Sequence, residues 1–134
     1  MKKILALLAC TLSTNACALD EIASSCEFNH INYKQAVAFV NTFKAELQKN
    51  NKLAIAAMAT FPLTVNDDKR HLTIKNIQQL LKDYDTIFTA TMRTAILEDQ
   101  EPIFCNYQGA MIAHGIIWFN TENDKVAFFT VNRE

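Results

Sequence analysis

The chain has 134 residues, with 13 basic against 14 acidic side chains and a formal net charge of −1. That balance excludes the basic stripe that nucleic-acid binding needs, and the length suits one domain with a real but modest core.

The chain opens with Lys2 and Lys3, an apolar run from Ile4 to Leu12, and the small-residue pattern Ala16-Cys17-Ala18. This reads as a signal peptide over 1–18, cleaved after Ala18. The apolar run is well under the roughly 20 residues of a membrane span, so no transmembrane segment is expected in the mature chain. Lipid attachment is disfavoured: Cys10 leaves almost no apolar run ahead of it, and Cys17 follows the poor match Thr14-Asn15-Ala16. A periplasmic or secreted protein is therefore expected, with a single domain over 19–134. Losing Lys2 and Lys3 makes it two charges more acidic. Cys26 and Cys105 then remain, and an oxidising compartment pairs them, clamping the N-terminal segment to the late strands. No metal site is expected, because His30, His71 and His114 are scattered singly and none stands at ligand spacing from a cysteine.

Residues Glu21 to Asn32 are polar and read as an ordered arm. From Tyr33, the residues Ala36, Phe39, Val40, Phe43 and Leu47 fall on one helical face, ending at Asn50-Asn51. Leu53 to Met58 continues as a short alanine-rich helix, stopped before Pro62. Phe61, Leu63 and Val65 alternate with Pro62 and Thr64 as a short strand, which Pro62 places at an edge or a strand start. Asn66 to Arg70 reads as a solvated loop. Thr73 is the expected N-cap of a helix whose buried stripe is Ile77, Leu80, Leu81, Tyr84, Ile87 and Phe88. After a break at Thr89-Ala90-Thr91, Met92, Ala95 and Ile96 suggest another short helix.

A strand Ile103 to Cys105 follows the acidic loop. Tyr107 to Asn120 then reads as one central strand, and Val126 to Val131 closes the sheet after a turn at Glu122-Asn123-Asp124. A continuous strand puts Ile112, Ile116 and Trp118 on one face and Met111, Ile117 and Phe119 on the other. Both faces would then be apolar, which an antiparallel sheet does not require. The second face needs a cover: the domain itself, a pocket or another protein.

Phe61-Pro62-Leu63 ahead of Val65-Asn66, then Tyr84-Asp85-Thr86-Ile87-Phe88, then Asn106-Tyr107-Gln108-Gly109 running through Met111-Ile112 to Gly115 and Ile117-Trp118-Phe119 resemble the small exported bacterial members of the nuclear transport factor 2-like (NTF2-like) superfamily. The resemblance covers residues 36–131. It implies an α+β cone with N-terminal helices packed on a curved, mostly antiparallel sheet. Relatives often carry an acidic residue where this chain has His114. The resemblance assigns no function, since the superfamily holds enzymes, transport and assembly modules.

The candidate catalytic residues are His114, which would need an orienting carboxylate, and Asp85. An Asp85 to Arg93 ion pair between two helices is the plainer reading of those two residues. Tyr84, Arg93, Tyr107, Met111, His114, Trp118 and Phe128 are the candidate pocket or interface residues. No activated-serine signature, paired metal-ligand motif or phosphate-binding glycine loop is present, so no cofactor is expected. Three classes of function follow. The favoured one is an exported, non-enzymatic protein-binding module, an inhibitor or immunity factor for a cell-envelope enzyme. The others are a carrier or sensor of an apolar ligand in the cone interior, and a hydrolase or isomerase using His114. A homodimer is compatible with each.

Overall fold

The computed structural model describes residues 14–133. Residues 1–13 of the segment read as a signal peptide, Cys10 included, lie outside the described residues. No described helix is long and apolar enough to cross a membrane.

The fold is α+β, with helices against a curved, unclosed sheet of six strands. Helix α1 (Thr14–Phe28) takes the place of most of the ordered arm expected over Glu21–Asn32. It ends in a Schellman cap: His30, at φ 62°, donates to the Glu27 carbonyl, and Ile31 donates to the Cys26 carbonyl. Cys26 is bonded to Cys105, and Ser25 Oγ donates to the Cys105 carbonyl, so α1 lies along the sheet edge.

Helix α2 (Tyr33–Gln48) buries Ala36, Phe39, Val40, Phe43 and Leu47, the stripe its 3.6-residue period predicts. Its end is a second Schellman cap at Asn50, φ 54°. Asn51 then accepts from the Ala54 amide and starts α3 (Lys52–Ala57), so the asparagine pair both stops one helix and caps the next.

Strand β1 (Ala59–Asp67) is longer than expected and internal, with antiparallel β2 (Arg70–Ile74) on one side and parallel β6 (Lys125–Asn132) on the other. Pro62 is therefore not on an edge strand. It follows a cis peptide bond inside a register shift between Ala59 and Thr64, where no ladder donor is required of it. The expected loop at 66–70 is a tight hairpin turn: Asp67 Oδ1 accepts from the amides of Lys69 and Arg70. Thr73 is a strand residue opposite Thr64, and the N-cap of α4 (Ile77–Ile87) is Asn76. Helix α5 (Ala90–Glu98) starts at the Thr89 cap.

Strands β3 (Phe104–Asn106), β4 (Gly109–Ile112) and β5 (Ile117–Glu122) complete the sheet, in the order β2-β1-β6-β5-β4-β3. The single central strand expected over Tyr107–Asn120 is two antiparallel strands. Ala113 and His114 lie in the left-handed region at φ 52° and 54°, and Gly115 at φ 89°, so the chain reverses there. Asp99, the one buried charged side chain among the described residues, holds this turn by accepting from the Ala113 amide at 2.9 Å.

That reversal changes which residues share a face. Ile112 pairs with Ile117, Met111 with Trp118, and Ala110 with Phe119. Ile112, Ile117 and Phe119 are buried together on the helix side; Met111 and Trp118 are half-buried on the other. The helix-side face is filled by rings from both layers. Phe39 meets Phe119 at 5.0 Å between centroids, Phe43 meets Phe128 at 5.4 Å, and Phe88 meets Phe128 edge-on at 6.2 Å. The sheet thus has one core face and one mixed face, not two fully apolar ones.

Candidate functional site

The outer face of the sheet is built by cross-strand pairing. Phe104 lies opposite Met111, Met111 opposite Trp118, Trp118 opposite Thr130, Thr130 opposite Thr64, and Thr64 opposite Thr73. This row runs from bulky apolar side chains at the β3 edge to hydroxyls at the β2 edge. A bulge in β6 adds Phe129 beside it, because Trp118 pairs with Thr130 while Phe119 pairs with Phe128. At the β3 end the apolar surface is open: Phe104 is 52% exposed and Tyr107, in the turn between β3 and β4, is 88% exposed.

One residue row further along, the outer face is polar. His71 Nδ1 is hydrogen-bonded to Asn66 Oδ1, Asn66 Nδ2 donates to Asn132 Oδ1 at 2.8 Å, and Asn132 Nδ2 donates to the Gly115 carbonyl at 2.7 Å. The amide of Asn132 also donates to the Ile116 carbonyl. These bonds tie three strands to the left-handed turn.

Sequence reading singled out residues that the fold scatters. Met111 and Trp118 pair on the outer face, and Tyr107 stands exposed in the turn between β3 and β4. Phe128 and Tyr84 lie in the core instead, both with no exposed surface. The Tyr84 hydroxyl has no hydrogen-bond partner in the protein, and burial pushes its pKa above the usual tyrosine value despite the nearby Arg93 guanidinium. The Asp85 to Arg93 ion pair is absent. Asp85 is exposed and takes Lys52 at 2.7 Å, while Arg93 Nη1 donates to Asn50 Oδ1 at 2.6 Å. Asparagine at the helix cap supplies the carbonyl oxygen that a carboxylate was expected to give.

His114 is exposed at the tip of its turn, beside a shallow groove lined by Ile22, Pro102, Ile103, Phe104 and Met111. Glu101 is the acidic residue that lines this groove; Asp85 does not. No group of three or more potential metal ligands is gathered among the described residues. A cleft of about 100 Å³ lies between the start of α5 and the end of the sheet, lined by Thr89, Thr91, Met92, Ala95, Ile116 and Asn132 together with Arg133.

The residues missed by sequence reading are Asn66, Gln108, Phe129 and Asn132, which line an outer groove together with Trp118 and Thr130. A β-bulge at Phe129 and a reversal at His114 both shift strand parity, and neither is visible in a strict period-two pattern. Comparison with family models, with curated proteins and with solved structures finds no match to this chain.

Proposed function

We propose that this chain is an exported, non-enzymatic protein-binding module of NTF2-like type, whose partner is a cell-envelope protein such as an enzyme that it inhibits. The observation that carries this reading is the open apolar end of the sheet, where Phe104, paired with Met111, and Tyr107 in the adjoining turn stand largely in solvent. Large aromatics that give up most of their surface to water in the free chain are the usual anchors of a protein interface. The Cys26–Cys105 disulfide fixes this end: Cys105 sits between Phe104 and Asn106, so the anchor strand is held by a covalent bond to α1. A rigid patch loses less freedom on binding than a mobile one.

The competing classes draw less support. An interior carrier needs space where the rings of Phe39, Phe43, Phe88, Phe119 and Phe128 already meet. A His114 enzyme needs an orienting carboxylate hydrogen-bonded to the imidazole; Asp85 is taken by Lys52, and Glu101 shares the groove with His114 without bonding to it among the described residues. The α+β class and the curved sheet are compatible with the superfamily resemblance. The disulfide supports an oxidising location.

The test is purification of the protein from its native envelope without reductant, followed by intact-mass analysis of what co-elutes. A stoichiometric partner is expected, and the double variant Phe104→Ser/Tyr107→Ser should lose it while melting normally. Each anchor is expected to contribute about 2 kcal/mol, roughly a 30-fold change in affinity. A partner retained by the double variant overturns this placement, and a chain that elutes alone or as a homodimer overturns the envelope-protein reading.

A further inference from the structure

The hydrogen bonds across the outer face have a fixed direction. The last acceptor, the Gly115 carbonyl, only accepts, so Asn132 must present its NH₂ group there and its Oδ1 towards Asn66. Asn66 in turn presents NH₂ to Asn132 and its oxygen to His71, which places a proton on His71 Nδ1. Both amides are thereby held in one orientation before any ligand arrives, and each keeps one N–H and one lone pair uncommitted to this chain of bonds.

Beside these amides runs a groove of about 290 Å³, lined by Asn66, Gln108, Trp118, Phe129, Thr130 and Asn132. Its two rings are seated on the chain's two glycines. The Phe129 ring lies 3.3 Å from where a β-carbon of Gly109 would be, and Trp118 Nε1 lies 3.5 Å from the corresponding point at Gly115. A side chain at Gly109 would crowd the Phe129 ring, whereas at Gly115 it would only touch Trp118 at ordinary contact distance.

Charge decides the class of occupant. No lining residue carries a formal charge, so an ionic ligand would give up its hydration without a counter-ion. A wholly apolar ligand would cover amide groups and leave them unpaired, which costs binding free energy. A pyranose ring satisfies both halves of the groove. Its C–H face carries positive partial charge that suits the negative face of an aromatic ring, and its rim of neutral hydroxyls can donate to and accept from fixed amides.

We propose that this groove is a binding site for a neutral saccharide, with one sugar ring against Trp118 and Phe129 and its hydroxyls on Asn66, Asn132 and Gln108. The groove adjoins the Phe104 and Tyr107 patch through Gln108 and the Met111–Trp118 pair, but neither Phe104 nor Tyr107 lines it and the proposal does not rest on that patch.

Trp118 is the only tryptophan, so its fluorescence reads the groove directly. The oxidised chain would be titrated with maltotetraose, cellotetraose and N-acetylglucosamine tetrasaccharide, with a sulfated oligosaccharide and an uncharged extended peptide as comparisons. A saturable change in emission is expected with at least one neutral sugar below about 10 mM, and at least about tenfold weaker binding of the sulfated one. Gln108→Ala, at an exposed turn position outside the Asn66–Asn132 pair, should weaken binding about fivefold, or about 1 kcal/mol, without changing the melting temperature. Phe129→Ala should weaken it further. The assignment is overturned if no neutral sugar shifts the emission, if the sulfated sugar binds equally well, if neither variant weakens binding, or if the peptide binds and the sugars do not.

Discussion

The carbonyl oxygen of Phe119 stands where a side chain on Gly109 would begin: a β-carbon there would lie 2.9 Å from it. The obstacle is backbone of the neighbouring strand, which cannot rotate away, and φ at Gly109 is +139°, a conformation L residues rarely adopt. At Gly115 the nearest atoms are side chains, Met111 Sδ at 3.4 Å and Trp118 Nε1 at 3.5 Å, which is ordinary contact. Only its φ of +89° opposes substitution there. Gly109→Ala should therefore destabilise by about 3 kcal/mol and Gly115→Ala by about 1 kcal/mol. Urea denaturation of both variants checks the order, and equal losses would contradict it.

The disulfide joins residues 79 apart in sequence. Closing a loop of that length removes enough entropy from the unfolded chain to stabilise by about 4.5 kcal/mol on the chain-entropy model. The variant Cys26→Ser/Cys105→Ser should lose about that much in denaturant titrations. It should also raise protease sensitivity first in α1, whose other tie to β3 is the Ser25 bond to the Cys105 carbonyl. A loss below about 1 kcal/mol would mean that the helix is held by packing alone.

Tyr84 gives up its hydroxyl's hydrogen bonds with water on folding and finds no protein partner in return. Tyr84→Phe should be neutral or stabilising by about 1 kcal/mol, whereas a partnered buried tyrosine would lose a similar amount. The pH dependence has a definite sign. Burial, the largest influence, raises the folded pKa above 10.0, so above that pH the unfolded chain ionises first and stability falls. Tyr84→Phe should remove this alkaline slope. Thermal melts on both sides of pH 10 compare the two chains, and a destabilised, equally alkali-sensitive variant would show that the hydroxyl is partnered in solution.

The parts of the fold that were legible in the sequence are those where one local rule acts alone. The α2 stripe, the Asn50-Asn51 boundary and the Glu122-Asn123-Asp124 turn each follow from a period or a cap. In that turn Asn123 and Asp124 both adopt positive φ, as a two-residue hairpin requires. The α+β class, like the Cys26–Cys105 pairing, needed no more than these rules and the compartment argument. What was hidden depends on tertiary context. His114 and Ala113 are not residues that announce a left-handed reversal, and Asp99, which holds it, lies 14 positions away. Missing that reversal placed Ile112 and Trp118 on one face and made the outer surface look more apolar than it is. Asn66 and Asn132 stand 66 residues apart, and only the parallel pairing of β1 with β6 brings their amides together.

Asp67 ties the β1–β2 hairpin to the end of the sheet. Its Oδ1 accepts from the amides of Lys69 and Arg70, and its Oδ2 faces the guanidinium groups of Arg70 at 3.5 Å and Arg133 at 3.7 Å. The Lys69 amide is the largest of the influences that hold its pKa below 3.8, with the Arg70 amide and the two arginines adding to it and desolvation opposing. A depressed folded pKa means the contribution is present above the unfolded value and is lost as pH falls from about 4 through the lower folded value. Asp67→Asn keeps an oxygen for both amides but carries no charge, so it separates the two effects. Its hairpin amides should stay protected in hydrogen exchange at neutral pH, while its stability should fall less steeply than the parent's between about pH 5 and pH 2. Asp67→Ala removes the acceptor as well and should lose that protection. If Asp67→Asn kept the full acid slope, other carboxylates would be setting the acid sensitivity of this fold.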